Sequence, residues 1–206
     1  MIMRKLLILL VCFSVYTGVF AQTLSDFDEV YPFQGDFAAI KKENQWAFIN
    51  KEGKKTIDFR ADLVLTNRLN SLNQTISYPV FSDGRCLIRK LMGDTYYYGF
   101  INEKGIEVIK PQFLNATNFS NGYAIVVTTT KDSIGFNVVL NKAVVSNILE
   151  EYVINTSGEL VKYLYNPRKN VPANYKNGVP IIESKFIAPN LVAVKNKNKK
   201  WDILQF

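Results

Sequence analysis

The sequence predicts an all-β array of antiparallel hairpins and meanders, built from degenerate repeats. Three observations predict it. An eight-residue motif recurs: Trp46–Gly53 reads WAFINKEG, Tyr98–Gly105 reads YGFINEKG and Glu151–Gly158 reads EYVINTSG, with an abbreviated WDIL at Trp201–Leu204. A second element precedes each copy. In Phe33–Ile40, Phe81–Ile88 and Phe119–Val126 a phenylalanine is followed five residues on by Ala or Cys, and Leu191–Val194 is a fourth version. Beyond residue 22, no stretch carries a convincing 3.6-residue apolar period, so helix is expected below about a fifth of the chain, against a base rate of about a third.

The elements follow in chain order. Met1–Lys5 is basic, Leu6–Val15 is apolar, and Val19-Phe20-Ala21 places small or β-branched residues before Gln22. That is the three-part pattern of a secretory signal peptide over residues 1–21. A membrane anchor needs about 20 apolar residues, and Ser14, Thr17 and Gly18 interrupt this run. The expected location is therefore secreted, periplasmic or cell-envelope, with no membrane span in the mature chain. Cys12 leaves with the leader, so Cys86 stands alone without a disulfide partner. It lies in Arg85-Cys86-Leu87-Ile88, where a small buried hydrophobe is expected.

Residues 22–206 then form the repeat domain, with units at approximately 31–77, 78–113, 119–163 and 181–206. In the first, Phe37–Lys41 and Gln45–Ile49 flank the polar Lys42-Glu43-Asn44 and read as a hairpin. Asn50-Lys51-Glu52-Gly53 follows as a turn, since Asn bonds its own backbone and Gly takes a positive φ cheaply. Lys54–Phe59 is the next strand. The same order recurs at Asn102–Gly105 with Ile106–Ile109, and at Asn155–Gly158 with Glu159–Tyr163. Pro111 suits a strand exit. Extra residues fall in Arg60–Ser77, Thr128–Asn147 and Lys162–Pro180. In the first of these, Asn67, Asn70, Ser71 and Asn73 argue for a loop holding at most one helical turn. The array either closes in a propeller-like way, with Phe27–Tyr31 supplying a strand to the last unit or the last hairpin packing back on the first unit, or remains an open solenoid.

At these residues the chain resembles the WG-repeat (KWG-repeat) family. The second unit carries the likeness best, through Phe81, Gly84, Ile88, Tyr98-Gly99-Phe100-Ile101-Asn102, Gly105, Val108-Ile109, Pro111 and Phe113. The first contributes Trp46, Phe48-Ile49-Asn50 and Gly53, and the last Lys200-Trp201. No unit keeps Trp and Gly together: Ala47 follows Trp46, Asp202 follows Trp201, and Glu151-Tyr152 replaces the pair in the third. The resemblance implies a β-rich, often exported bacterial repeat protein without established catalytic residues. It implies no ligand.

Composition narrows the chemistry. There is no His among 206 residues, which excludes His-dependent triads, His-ligated zinc and His general bases. Two cysteines make neither a thiolate zinc site nor an iron–sulfur cluster. No phosphate-binding loop, Gly-x-Ser-x-Gly or dinucleotide fingerprint is present. The acid groups Asp26/Asp28/Glu29, Asp58/Asp62 and Glu150/Glu151 read as solvated surface charge. The net charge of +7 falls when Arg4 and Lys5 are removed, and nucleic-acid binding is not expected. The basic Lys195–Lys200 run reads as a hairpin tip. Catalytic, cofactor and metal residues are thus expected to be none. Trp46, Asn50, Gly53, Tyr98, Asn102, Gly105, Asn155, Gly158 and Trp201 are expected as structural repeat positions. The expected role is an exported, non-catalytic repeat scaffold binding a protein or other macromolecule. The alternative is an envelope glycan-binding module that uses Tyr96, Tyr97 and Tyr98 or the tryptophans. A contiguous exposed aromatic strip favours the glycan reading, and aromatics buried between units favour the scaffold.

Overall fold

The computed structural model describes residues 24–171 and 178–206. The leader expected over residues 1–21 lies outside the described residues. Among the described residues every regular element is a strand, and the strands form four antiparallel repeat sheets and one added hairpin. The first sheet runs in the order β1 (Glu29–Val30), β2 (Ala38–Lys42), β3 (Gln45–Ile49) and β4 (Lys55–Arg60). The hairpin is β5 (Thr66–Leu69) with β6 (Thr75–Tyr78). The second sheet holds β7 (Phe81–Ser82), β8 (Arg85–Met92), β9 (Thr95–Ile101) and β10 (Glu107–Phe113). The third holds β11 (Asn115–Ala116), β12 (Tyr123–Asn137), β13 (Lys142–Asn155) and β14 (Leu160–Tyr163), with β15 (Arg168–Val171) also on β13. The fourth is β16 (Lys185–Ala188), β17 (Leu191–Lys195) and β18 (Trp201–Gln205).

One short segment hands the chain from each sheet to the next. After β4, Asp62–Val64 pairs with β8: Arg89 N–H donates to Asp62 O at 2.8 Å and Val64 N–H to Leu87 O at 3.0 Å. After β10, Leu114 N–H donates to Val127 O at 2.8 Å and β11 continues along β12. The hairpin β5–β6 is therefore an excursion of the second unit, leaving just after its first strand.

The apolar runs explain the stacking. Ala38-Ala39-Ile40, Cys86-Leu87-Ile88, Ala124–Val127 and Val192-Ala193-Val194 are buried at every position. Period-2 alternation in such strands is not inside against outside. It is one core against the next. Cys86, Ile88 and Ile101 join Ala39, Trp46, Phe48 and Ile57 of the first unit. Leu87, Tyr98, Phe100 and Ile109 instead join Ala124, Val126 and Ile154 of the third. Ile125 and Val153 then pack with Val192 and Val194 of the fourth. Each buried Phe, Ile or Val contributes about 1.5–3 kcal/mol, and a thin sheet gains this only from a neighbour.

The Asn-x-x-Gly turns form as expected. Gly53 N–H donates to Asn50 O and Lys54 N–H to the Asn50 Oδ1, both at 2.9 Å. Asn102 and Asn155 repeat the pattern. The glycines also admit close contact: a Cβ on Gly105 would lie 3.6 Å from Ile57, and one on Gly158 would lie 3.1 Å from Ile109. The turn of each of these units thus rests on the isoleucine in the last strand of the unit before.

Three expectations are corrected. Arg60–Ser77 is not a loop with a helical turn. Asn70 bonds Leu72 N–H and Gln74 N–H through Oδ1, and Asn73 takes the glycine's place at φ 57°, so the segment folds as a hairpin. Pro111 does not end its strand. β10 lies at a sheet edge, where a missing donor costs no ladder bond, and it continues to Phe113 through a register shift. Propeller-like closure through Phe27–Tyr31 is also overturned. Asp28 N–H bonds Lys41 O, Tyr31 N–H bonds Ala39 O, and β1 pairs with β2 of its own unit. The sheets stack as an open array.

The β10 irregularity makes one testable demand. A Cβ on Gly99 would meet Ile109 O at 2.4 Å and Pro111 N at 2.5 Å, both backbone atoms. Gly99→Ala is expected to destabilise by about 3 kcal/mol or more through overpacking. Gly53→Ala, with open space and only a φ of 72° against it, is expected to cost about 1–2 kcal/mol. Urea midpoints of the two variants check the order.

Candidate functional site

The recurring aromatic position is the natural place to look for a site. Register fixes its occupants. Trp46 pairs with Lys41, Tyr98 with Arg89, Glu151 with Val127 and Trp201 with Lys195. Trp46 is buried in the first core, 5.7 Å from the Tyr31 ring, which stacks on Tyr78 at 4.3 Å. Tyr98 is buried in the second core. In the fourth sheet Trp201 is 46% exposed, and the Lys185 and Lys195 ammonium groups lie 4.9 and 5.4 Å from its ring centre. Ile187 and Ile203 are exposed in the same sheet. The structure therefore gathers Trp46 and Tyr98 into packing and leaves Trp201 facing solvent.

Glu151 takes the third position and is fully buried. Its Oε1 accepts Glu183 N–H at 2.8 Å, and its Oε2 accepts Ser184 N–H and Asn166 Nδ2 at 3.0 Å. Its own carbonyl accepts Leu164 N–H at 3.0 Å. A buried carboxylate is tolerated only when its lone pairs are filled. Here it fastens the returning chain before β16 onto the third sheet. Its solvated-charge reading is thereby corrected, because the partners lie some thirty residues on in sequence.

Of the other acids in these groups, exposed Asp26 meets only its neighbour Ser25 among the described residues, and the rest are bound. Glu29 accepts from Lys41 Nζ at 2.6 Å and Tyr31 Oη at 2.5 Å, and the Lys41 bond, then the Tyr31 bond, hold its carboxyl below the usual range. Asp28 accepts the Glu43 N–H. Asp62 is bound by Arg60 in a two-pronged pair at 2.6 and 2.7 Å, and Asp58 pairs with Lys55. Glu150 meets Thr130 and the Tyr152 hydroxyl. Cys86 is buried, and burial pushes its thiol up, away from nucleophilic thiolate. Among the described residues no cluster of three or more His, Cys, Asp or Glu is arranged to hold a metal. Lys195–Lys200 is a hairpin turn on Asn196, with Lys199 at φ 59° where other turns have glycine.

One open cleft of about 490 Å³ lies against the β8–β9 tip. Arg89, Asp94, Tyr96, Leu114, Val179 and Pro180 line it. The Arg89 guanidinium sits 4.7 Å over the Tyr96 ring, and Asn115 Nδ2 holds Pro180 O at 2.8 Å. Tyr96 is exposed, Tyr97 packs against Leu114, Val127 and Leu149, and Tyr98 is buried. Successive tyrosines in a strand point to opposite faces, so the three make no strip. The cleft itself depends on Val179 and Pro180, which nothing in the local sequence around Tyr96 announces.

The fold and its repeated positions define an all-β repeat protein whose sheets are stacked in sequence order. The family model for the WG-containing repeat matches residues 26–46 and 98–128, which run from β1 into β3 and from β9 into β12. No curated protein and no solved structure matches the chain.

Two variants test these assignments. Glu151→Leu leaves the Glu183 and Ser184 N–H groups without their acceptor and is expected to cost about 3 kcal/mol. Glu151→Gln keeps an acceptor oxygen and should cost about half as much. Urea unfolding separates the two. The second test is alkaline. The bond to Glu29, then burial, pushes the Tyr31 hydroxyl up to about 12, while an unfolded tyrosine titrates near about 10. The folded state keeps this proton after the unfolded state has lost it. The contribution is therefore full below about pH 10 and falls as pH rises through about 12. Tyr31→Phe should show a shallower loss of stability over that range than the parent.

Proposed function

We propose that this protein is an exported, non-catalytic repeat scaffold that binds a protein or other macromolecule outside the cytoplasm. The export element rests on the leader-like pattern of residues 1–21. The scaffold element rests on one observation: the recurring aromatic position is buried at Trp46 and Tyr98 but exposed at Trp201. Inside the array this residue type joins sheet to sheet. On the fourth sheet the same surface, with Trp201, Ile187 and Ile203 beside Lys185 and Lys195, offers an apolar patch rimmed by cations. Aromatic and cationic side chains of this kind anchor macromolecular partners. Satisfied carboxylates and a buried thiol support the non-catalytic reading.

The experiment is a pull-down of the mature protein from its native envelope, run beside Trp201→Ala and Trp46→Ala. Trp201→Ala should melt within about a degree or two of the parent, as a surface change does, and lose the captured partner. Trp46→Ala should cost about 3–5 kcal/mol. Equal capture by parent and Trp201→Ala overturns the assignment to this face.

Envelope glycan binding is the second reading, and the Arg89–Tyr96 cleft is what favours it. An exposed ring beside Asp94 and Arg89 offers a stacking face with polar groups at its edge. Retention on envelope polysaccharide that Tyr96→Ala abolishes and Trp201→Ala leaves intact selects this reading over the first.

A further inference from the structure

The third unit's central hairpin does something its equivalents do not. β2 and β3 pair from Ala38↔Ile49 to Lys42↔Gln45, and β8 and β9 from Cys86↔Ile101 to Met92↔Thr95. β12 and β13 continue from Tyr123↔Asn155 to Asn137↔Lys142. Among the described side chains Leu149 is the last buried apolar one on this ribbon, and among the described residues β15 last pairs with it at Asn147. Among the described residues, no third strand pairs with the ribbon beyond Lys131↔Asn147. At about 3.3 Å per residue, the tip projects roughly 25 Å past that rung.

The composition of the projecting part is not that of a surface ribbon. From Ser133 to Leu149 there is one charged residue, Lys142, in a chain that is 21% charged. Most turns elsewhere are polar, as at Glu43-Asn44, Lys51-Glu52, Glu103-Lys104, Thr156-Ser157 and Lys197-Asn198, and the β5–β6 turn exposes a single leucine, Leu72. Here the turn is Val138-Val139-Leu140-Asn141, with Val138 82%, Val139 94% and Leu140 64% exposed. Phe136 is exposed one rung below, and so are Val144 and Val145. Neighbouring residues of a strand face opposite ways, so Val144 and Val145 present apolar surface on both faces of the ribbon while Val138–Leu140 present it at the end.

That distribution selects among occupants. A groove in a partner protein, or a second ribbon, covers one face. Apolar surface on both faces and at the tip calls for a medium that surrounds the tip, which hydrocarbon does. A tip entering hydrocarbon must fill its backbone donors internally, and Asn137 Oδ1 accepts the Leu140 N–H at 3.0 Å. Lys142 stands opposite Asn137, one rung below the turn, where a long cationic side chain reaches back to lipid phosphates. The one acid on the projecting ribbon, Asp132, lies opposite Ser146 at its root, far from the tip and next to Lys131.

We infer that the β12–β13 tip inserts shallowly into an anionic lipid bilayer surface, with Val138, Val139 and Leu140 in the acyl boundary and Lys142 at the phosphates. This is surface attachment, distinct from a span, and it uses residues separate from both the Trp201 face and the Tyr96 cleft. The test uses the full mature chain with phosphatidylcholine vesicles, with and without phosphatidylglycerol, in a sedimentation assay. Because these side chains are solvent-exposed, the variant Val138→Ser/Val139→Ser/Leu140→Ser should keep the parent's melting curve. Its vesicle affinity should fall at least tenfold. Lys142→Ala should weaken binding to the anionic vesicles and leave the weaker binding to neutral ones unchanged. Absence of parent binding at either composition, or equal binding by the serine variant, overturns the inference. So does a parent dimer in sedimentation velocity that the serine variant lacks, without vesicle binding, which would make the tip a contact between copies.

Discussion

The array depends on one recurring contact, the phenylalanine that opens each unit and packs back onto the sheet before it. Phe81 lies 4.8 Å from both Phe37 and Phe48 of the first unit. Phe119 lies 4.7 Å from Phe100 of the second, and Phe100 occupies the register position of Phe48. Phe186 enters the third core with Val153, which holds that same position. Around this contact the other linkages fall into place. Ser82 Oγ donates to Phe119 O at 2.6 Å, Asp83 accepts Gly122 N–H at 2.6 Å, and Arg60 reaches Gly105 O at 3.1 Å. Each joins a unit to its successor. A four-stranded sheet with apolar residues on both faces has no stable existence apart from such neighbours, so stability resides mainly in the interfaces.

The sequence made some of this legible because the physics was local. Asn50-x-x-Gly53 and its copies are turns whatever surrounds them, since Asn supplies an acceptor to its own following backbone and Gly accepts the left-handed φ. The turns at Asn70 and Asn196 use the same bonds, yet Asn73 and Lys199 stand where glycine is expected, and so the pattern was hidden. Asp83-Gly84 and Asn121-Gly122 carry a turn signal within the second recurring element. All four residues have φ between 50° and 84°, which is the hairpin turn that such dipeptides favour. The repeated Phe-x-x-Gly element is therefore a tight turn followed by a strand.

What was not legible was long-range. Nothing near Glu151 says that a carboxylate there will be buried, because its donors belong to Glu183, Ser184 and Asn166. The repeat alignment and the strand register agree on the position but not on its role. The register puts Glu151 on the aromatic position and Tyr152 on that of Gly99. The exchange is understandable physically. Where the chain must return across a long insertion to start β16, an aromatic would fill space but bind no backbone, whereas a carboxylate captures two successive N–H groups and orients the return. The fate of the β1 segment was likewise a matter of partner choice. Phe27–Tyr31 is an extended segment with two possible sheets to join, and the nearer one won because a short connection closes at lower entropic cost.

The same architecture explains where variation is tolerated. The contacts between sheets involve the apolar run, the opening phenylalanine and the Asn-x-x-Gly turn, which lie at or near one end of each central hairpin. The other end carries fewer such contacts, with Trp46 the main exception, so residues added beyond them disturb no interface. The central hairpins accordingly differ in length from unit to unit while their bases stay in register. Their tips have diverged in chemistry as well: Gly93 and Asp94 line a cleft, Asn196–Lys199 carries cations, and Val138–Leu140 is bare hydrocarbon. A tip that extends past these contacts, as Val138–Leu140 does, is free of packing constraints. Chemistry unlike that of an ordinary protein surface persists there because folding places no demand on it.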